Sequence, residues 1–227
     1  IKPDAITLSG EVLAGIYAGD ITTWDDAKIA ALNPGVHLPD TAIAPVHRAD
    51  GSGTTFVFTS YLADSSDSWK QNQGASTSIN WPNGLGARGN DGVAATVRNT
   101  EGAIGYVEFA YASRNHLTTV RLRNKAGTNV AAGLLSFSHA AEAADWKSAQ
   151  HFAINLLNTP GKDAWPVVSA TYVLVPVPAR NPARDEAVRT FFSWDFANGD
   201  SAAEKLDYVP LPKSVKDDIL AAWKSGK

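Results

Sequence analysis

The residues best equipped for chemistry lie together in the heptapeptide RADGSGT at 48–54. Arg48 brings a guanidinium, Ser52 and Thr54 bring hydroxyls, and Gly51 and Gly53 loosen the main chain between them. Glycine accepts positive φ and lets a ligand approach the backbone closely. A helix opening near Thr54 would add unpaired amides and the partial positive charge of its N-terminus, with the Gly53 amide among them. An arginine fork supplies two further charge-assisted donors. Every donor type that suits a tetrahedral oxyanion therefore falls within one short loop. Asp50 would repel such a ligand unless it pairs with Arg48, and that pairing would orient the guanidinium and balance the charge of an empty site. The same residues also fit an ordinary Gly-rich turn with a Ser or Thr helix cap and a surface Arg–Asp pair.

Two enzyme motifs are excluded at this loop. A phosphate-binding P-loop needs Gly-Lys before Ser or Thr, and no Lys is present. A nucleophile elbow needs Gly at both ends of the pentapeptide centred on Ser52, where Asp50 and Thr54 stand. No His lies in the loop to serve as general base, so no catalytic residue is assigned. The histidines at 37, 47, 116, 139 and 151 have no metal-ligand spacing and are read as loop and surface residues, so neither metal nor cofactor is expected. Trp24, Trp146, Trp194 and Trp223 fall in predicted helices as core packing rather than a stacking surface. Asp91, after glycines and before a helix, is a cap by default, with a place behind the anion-binding side chains as its alternative. Arg88 is read as a solvated loop residue.

With 227 residues, 44% of them hydrophobic and 19% charged, the chain can bury a real core. No apolar run approaches the roughly 20 residues of a membrane helix. A net charge of −3 offers no positive field to gather nucleic acid or an anionic membrane surface, so any anion must be held locally. The absence of Cys removes disulfides and thiolate metal sites. The absence of Met and the Ile at position 1 lead us to expect that an upstream stretch precedes this sequence.

The elements that must position the loop follow from periodicity and punctuation. Helices are predicted at 8–16, stopped by Gly19, and at 24–32, capped by Thr23 and ended by Asn33-Pro34-Gly35. A strand at 43–47 runs into the loop and a helix at 54–62 leaves it. A second Gly-rich loop at 84–92 precedes a helix at 93–98, a buried strand at 103–107 and a helix at 108–113. A long helix is expected at 140–157, then the most strand-like run of the chain at 170–175, a Pro-rich stretch at 176–182, and helices at 184–196 and 214–223. Strands alternating with helices imply an α/β fold with a largely parallel sheet. No repeat of fixed period is visible.

The string HRADGSGTTFVFTSYL at 47–62 closely resembles the anion loop and following helix of periplasmic phosphate-binding proteins of ABC transporters. So do IYAGDITTWDD at 16–26 with LNPG at 32–35, GNDGV at 89–93, GAIGYVE at 102–108, DAWP at 163–166 and LDYVPLP at 206–212. The resemblance runs in order along essentially the whole chain. It implies a two-lobe, type II-like periplasmic-binding fold, with residues 1–169 as the complete phosphate-binding lobe and 170–227 as the C-terminal part of the other. It also implies that Arg48, Ser52, Gly53 and Thr54 contact phosphate, with Asp50 and Asp91 behind them. The expected role is an extracytoplasmic, periplasmic receptor, not an enzyme, that delivers inorganic phosphate to a membrane permease. The family pattern has a further N-terminal segment, expected in cis or as an associated peptide. That segment carries a carboxylate that accepts the phosphate proton and thereby rejects sulfate. The alternatives are a receptor for another tetrahedral oxyanion such as sulfate and a phosphomonoester hydrolase using Ser52.

Overall fold

The computed structural model describes residues 6–175 and 181–224. Strand β1 (Thr7–Leu8) leads into helix α1 (Gly10–Ala18), where the Ser9 hydroxyl accepts from the Val12 amide at 3.2 Å. Gly19, at φ +89°, ends α1 in the left-handed region that favours glycine. The short α2 (Ala27–Leu32) is capped by Asp26, not Thr23, and begins later than predicted. Thr23 instead bridges to Ala42, and the Trp24 amide donates to the Thr41 carbonyl at 3.0 Å, so this stretch is held extended. Asn33, buried at the end of α2, ties it to β1, accepting from the Thr7 amide at 2.7 Å and donating to the Thr7 carbonyl at 2.8 Å.

The sheet that carries the anion loop has β2 (Ala44–Arg48) at its centre, between β3 (Leu85–Ala87) and β4 (Ala103–Gly105), all parallel. Arg48 pairs in register with Ala87, and Val46 with Gly105. Each strand feeds a helix. The chain goes from β2 to α3 (Gly53–Ser65) and the short α4 (Asp67–Asn72), from β3 to α5 (Gly89–Asn99), and from β4 to α6 (Phe109–Arg114). Parallel strands followed by helices bring all the strand C-termini and helix N-termini to one edge, where ligands of such sheets bind. A Cβ at Gly105 would sit 2.7 Å from a Val97 methyl and 2.9 Å from one of Val93, so α5 packs directly on β4. From the other side, the buried Tyr17 hydroxyl of α1 donates to the Val46 carbonyl at 3.2 Å and lies 3.4 Å from that of Ile104. Leu8, Ile16, Tyr17, Ile29, Tyr61, Leu62 and Trp69 form the core that joins α1, α2 and α3.

A second sheet pairs β1 with β5 (Arg121–Arg123) in parallel and β5 with β6 (Asn129–Ala131) antiparallel. Neither the β5–β6 hairpin nor the strand at Leu85–Ala87 is foreshadowed in the sequence. The helix expected at 140–157 is α7 (Leu134–Glu142), followed by 3₁₀ turns at Trp146–Ser148 and Gln150–Phe152. The Trp146 indole N–H donates to the Ala141 carbonyl at 2.8 Å, occupying the acceptor that helical continuation needs, and His151 and Phe152 adopt positive φ. The run at 170–175 is not a strand: it pairs with no other strand among the described residues, and Leu174 is 92% exposed. β-propensity without a neighbour to take the backbone bonds does not make a sheet. Of the Pro-rich stretch, 176–180 lie outside the described residues. The last helices are α8 (Pro182–Asn198), with Asn181 as cap and Pro at its first position, α9 (Asp200–Lys205) and α10 (Lys213–Lys224). The two long ones match the sequence expectation closely. Trp24 and Trp146 are core residues as expected, whereas Trp194 is 60% exposed.

Candidate functional site

Arg48 stands at the C-terminal end of β2, and the loops after β3 and β4 close around it. Its Nε and Nη2 donate to the two carboxylate oxygens of Asp50 at 2.8 and 2.7 Å, a bidentate pair. Its Nη1 donates to Asn90 Oδ1 at 3.3 Å. The Gly89 amide, at the start of α5, donates to Asp50 at 3.1 Å. The Arg48 guanidinium and then the Gly89 amide hold the Asp50 carboxyl well below the usual carboxylate range, and the same pairing raises the pKa of Arg48. The Arg48 side chain is only 11% exposed, so the guanidinium is set rather than wandering.

A guanidinium carries five N–H groups. Three are engaged by Asp50 and Asn90, which leaves two for a ligand. Beside them α3 begins. The buried Ser52 is its N-cap: Oγ accepts from the Thr55 amide at 3.2 Å, which uses a lone pair and keeps the hydroxyl proton free to donate. The Ser52 amide is pinned to the Thr77 carbonyl at 2.9 Å, fixing the loop's approach. Among the described residues the amides of Gly53 and Thr54 and the Thr54 hydroxyl have no hydrogen-bond partner in the protein. Beyond the adjoining backbone, nothing described lies within 4 Å of where a Cβ of Gly51 or Gly53 would be, so that face of the loop is open. The arrangement is rich in donors and suits a compact oxyanion.

A stack of rings supports the loop from beneath. Tyr106, just after β4, accepts from the Arg48 amide at 3.1 Å and shares a 2.8 Å hydrogen bond with the Thr55 hydroxyl. Its ring stacks on Phe58 at 4.3 Å and on Trp81 at 5.9 Å, and Trp81 stacks on His47 at 4.7 Å. Burial pushes the Tyr106 phenol up and keeps it a neutral hydrogen-bonding group. His47 is therefore a half-buried packing residue of β2, not the surface residue that its sequence context suggests.

Arg48, Asp50, Ser52, Gly53 and Thr54 are brought together. Asp91 is not: it is exposed in the first turn of α5 and makes no hydrogen bond to Arg48 or Asp50. Its neighbour Asn90 occupies the place behind Arg48, and Glu108 and Tyr106 are further participants that sequence reasoning missed. The signal for Asn90 was its place at the start of a helix, since helical side chains lean back toward the N-terminus and so toward whatever the preceding strand presents.

The PBP superfamily domain matches residues 2–198. Phosphate-binding protein PstS of Pasteurella multocida is 48% identical over 99% of this chain and 65% of its own length. The PstS of Xylella fastidiosa (strain Temecula1) is 45% identical over 99% of this chain and 62% of its own length. This chain belongs to the PstS phosphate-binding protein family of the PBP superfamily. It spans a little under two thirds of the length of those relatives. A solved high-affinity periplasmic phosphate-binding protein, bound with phosphate, shares the fold at a TM-score of 0.66 and 23% identity, over 97% of this chain and 66% of the other.

Proposed function

We propose that the chain holds inorganic phosphate at the Arg48 loop as part of an extracytoplasmic receptor that passes it to the membrane permease of an ABC importer. The single observation that carries this reading is the set of donors left over after the protein's own bonds are made. Two Arg48 N–H groups, the Ser52 hydroxyl proton, the Thr54 hydroxyl and the Gly53 and Thr54 amides have no acceptor among the described residues, and all belong to the loop and first turn of α3 or to the strand end that enters it. Family membership supports the same ligand, and also the permease and the periplasmic location. On this reading residues 1–169 form the anion-holding lobe and 170–227 belong to the other.

The site is built for binding rather than turnover. Among the described residues Ser52 Oγ bonds the Thr55 amide and no base, and Asp50 is committed to Arg48 and Gly89 with its carboxyl depressed, so neither partner is placed to take a proton from Ser52. Donors alone grip sulfate as readily as phosphate. Rejection of sulfate needs an acceptor for the phosphate proton, and Asp50 is unsuited to that while paired. Calorimetric titration with phosphate and with sulfate at two pH values tests the reading. Heat of binding with phosphate that vanishes in Arg48→Ala is expected. Absence of phosphate binding, or indifference to Arg48→Ala, would overturn it. Sulfate binding that outcompetes phosphate at both pH values would reassign the site to that anion.

A further inference from the structure

Behind Arg48 the hydrogen bonds do not stop at Asn90. Asn90 Nδ2 donates to Glu108 Oε1 at 2.9 Å, and the Tyr208 hydroxyl donates to Glu108 Oε2 at 3.2 Å. Glu108 lies at the N-terminus of α6, while Tyr208 lies in the loop after α9, a hundred residues away in sequence. The approach of Tyr208 is itself fixed, because Asp207 adopts φ +63° and the Tyr208 amide donates to the Ala203 carbonyl at 3.0 Å.

We propose that Asn90, Glu108 and Tyr208 form a positioning relay that fixes the guanidinium of Arg48 and makes its setting depend on how the segment after α9 is seated. A side-chain amide has a donor end and an acceptor end, and either can face a neighbour. An ionised carboxylate only accepts, so Glu108 takes the NH₂ end of Asn90 and leaves the carbonyl end facing Arg48. Without Glu108 the amide is free to turn its NH₂ toward a guanidinium that also only donates, and the contact becomes repulsive. Tyr208 holds the other oxygen of Glu108 and so limits rotation of the carboxylate. With Asp50 on one edge and Asn90 on another, rotation of the guanidinium in its own plane is restricted, and the directions of its two spare N–H groups are restricted with it. The Glu108 charge acts on Arg48 through a neutral amide instead of standing next to the ligand.

The binding readout rests on the phosphate reading above, so a second readout is chosen that needs no ligand. Asn90→Ala, Tyr208→Phe and the double variant are titrated with inorganic phosphate, and the side-chain N–H resonances of Arg48 are followed by NMR in anion-free buffer. Loss of a hydrogen bond to a charged group predicts about tenfold weaker binding for Asn90→Ala, and loss of the exposed outer bond about threefold for Tyr208→Phe. In the Asn90→Ala background Tyr208→Phe should add nothing, because the relay is already cut. Multiplying losses mean independent structural roles and overturn the relay. In the anion-free protein Tyr208→Phe should shift the Arg48 resonances, though the two side chains do not touch. Unchanged resonances overturn it. Should the unsubstituted protein give no heat with phosphate, the function proposed above fails and the resonances alone decide the relay.

Discussion

Around Arg48, Asp50 takes two bonds from the guanidinium and one from Gly89, and the rings below are packed and hydrogen-bonded. The helices near the C-terminus are different. In α8 the buried Asp185 leaves Oδ2 unpartnered and Arg189, one turn on, leaves Nε unpartnered among the described residues. Phe191 and Trp194 on the same helix are 58% and 60% exposed, where Tyr17, Tyr61 and Trp69 of the first core are at most 2% exposed. A buried polar atom without a partner costs about 1–3 kcal/mol, and an aromatic left more than half exposed contributes less than half of its burial energy. The residues that support the anion loop are thus paired within the chain, leaving free only the donors assigned to the ligand, whereas α8 keeps buried polar atoms with no partner among the described residues. Helix α10 meets α8 through the Phe196–Trp223 stack at 6.0 Å and the Arg189 guanidinium, which donates to the Trp223 carbonyl at 3.2 Å, reaches α9 through the Lys216–Asp200 ion pair, and inserts Val215 beside Trp146 and Leu156.

The largest test of that contrast uses one residue type in both regions. Trp69→Ala removes a buried indole whose N–H donates to the Gly74 carbonyl at 3.0 Å, and should cost about 3–5 kcal/mol. Trp194→Ala should change stability by no more than about 0.5 kcal/mol. Urea unfolding of both variants reads the difference, and equal losses would erase the contrast. Phe191→Ser combined with Trp194→Ser should also lower the binding of a hydrophobic fluorescent dye such as ANS while leaving anion affinity alone.

The pairing that supports the loop can be broken at its centre, between Arg48 and Asp50. Arg48→Ala removes the fork and leaves Asp50 unpaired beside the ligand, so phosphate affinity should fall more than about a hundredfold, near 3 kcal/mol. Adding Asp50→Ala should recover part of the loss, since the remaining carboxylate does harm only when its cation is gone. Equal affinity in the single and double variants, measured by calorimetry, would show that Asp50 does not act through Arg48.

How legible these regions were in sequence follows the same division. The strand, loop and helix at 43–62 were readable because Gly, Ser and an apolar run fix local geometry, and the Arg48–Asp50 pair spans only two residues. Asn90 and Glu108 were not singled out: the helix start of Asn90 is a local signal for the direction of its side chain, but its meeting Arg48 and Glu108 depends on the register of β2 between β3 and β4, which local sequence does not specify. The run at 170–175 misled for the opposite reason. Its residues have strong β-propensity, yet a strand exists only by pairing, and Tyr172 uses its hydroxyl on the Ile154 backbone instead. At 140–157 helical composition was overridden by one side chain, the Trp146 indole, competing for a helix carbonyl.

The smallest effect probes the ring stack under the loop. His47 lies on the face of Trp81, with rings 4.7 Å apart and 12° from parallel, and its Nδ1 is 3.2 Å from the Arg48 carbonyl. Burial pulls its pKa below the usual histidine value, and the Arg48 carbonyl offsets only part of that. The folded state thus prefers neutral His47. The sign follows: its contribution to stability is fully present above the unfolded pKa of about 6.5, and is lost as pH falls through that value and then through the lower folded one. Because the ring is half-exposed, solvent screening should keep the effect below about 1 kcal/mol. The unfolding midpoint should therefore fall between about pH 7 and pH 5 by more in the native protein than in His47→Gln, whose amide does not titrate there. Identical slopes in the two proteins would mean that protonated His47 leaves the stack freely into water, and that the closed region ends above the ring ladder rather than below it.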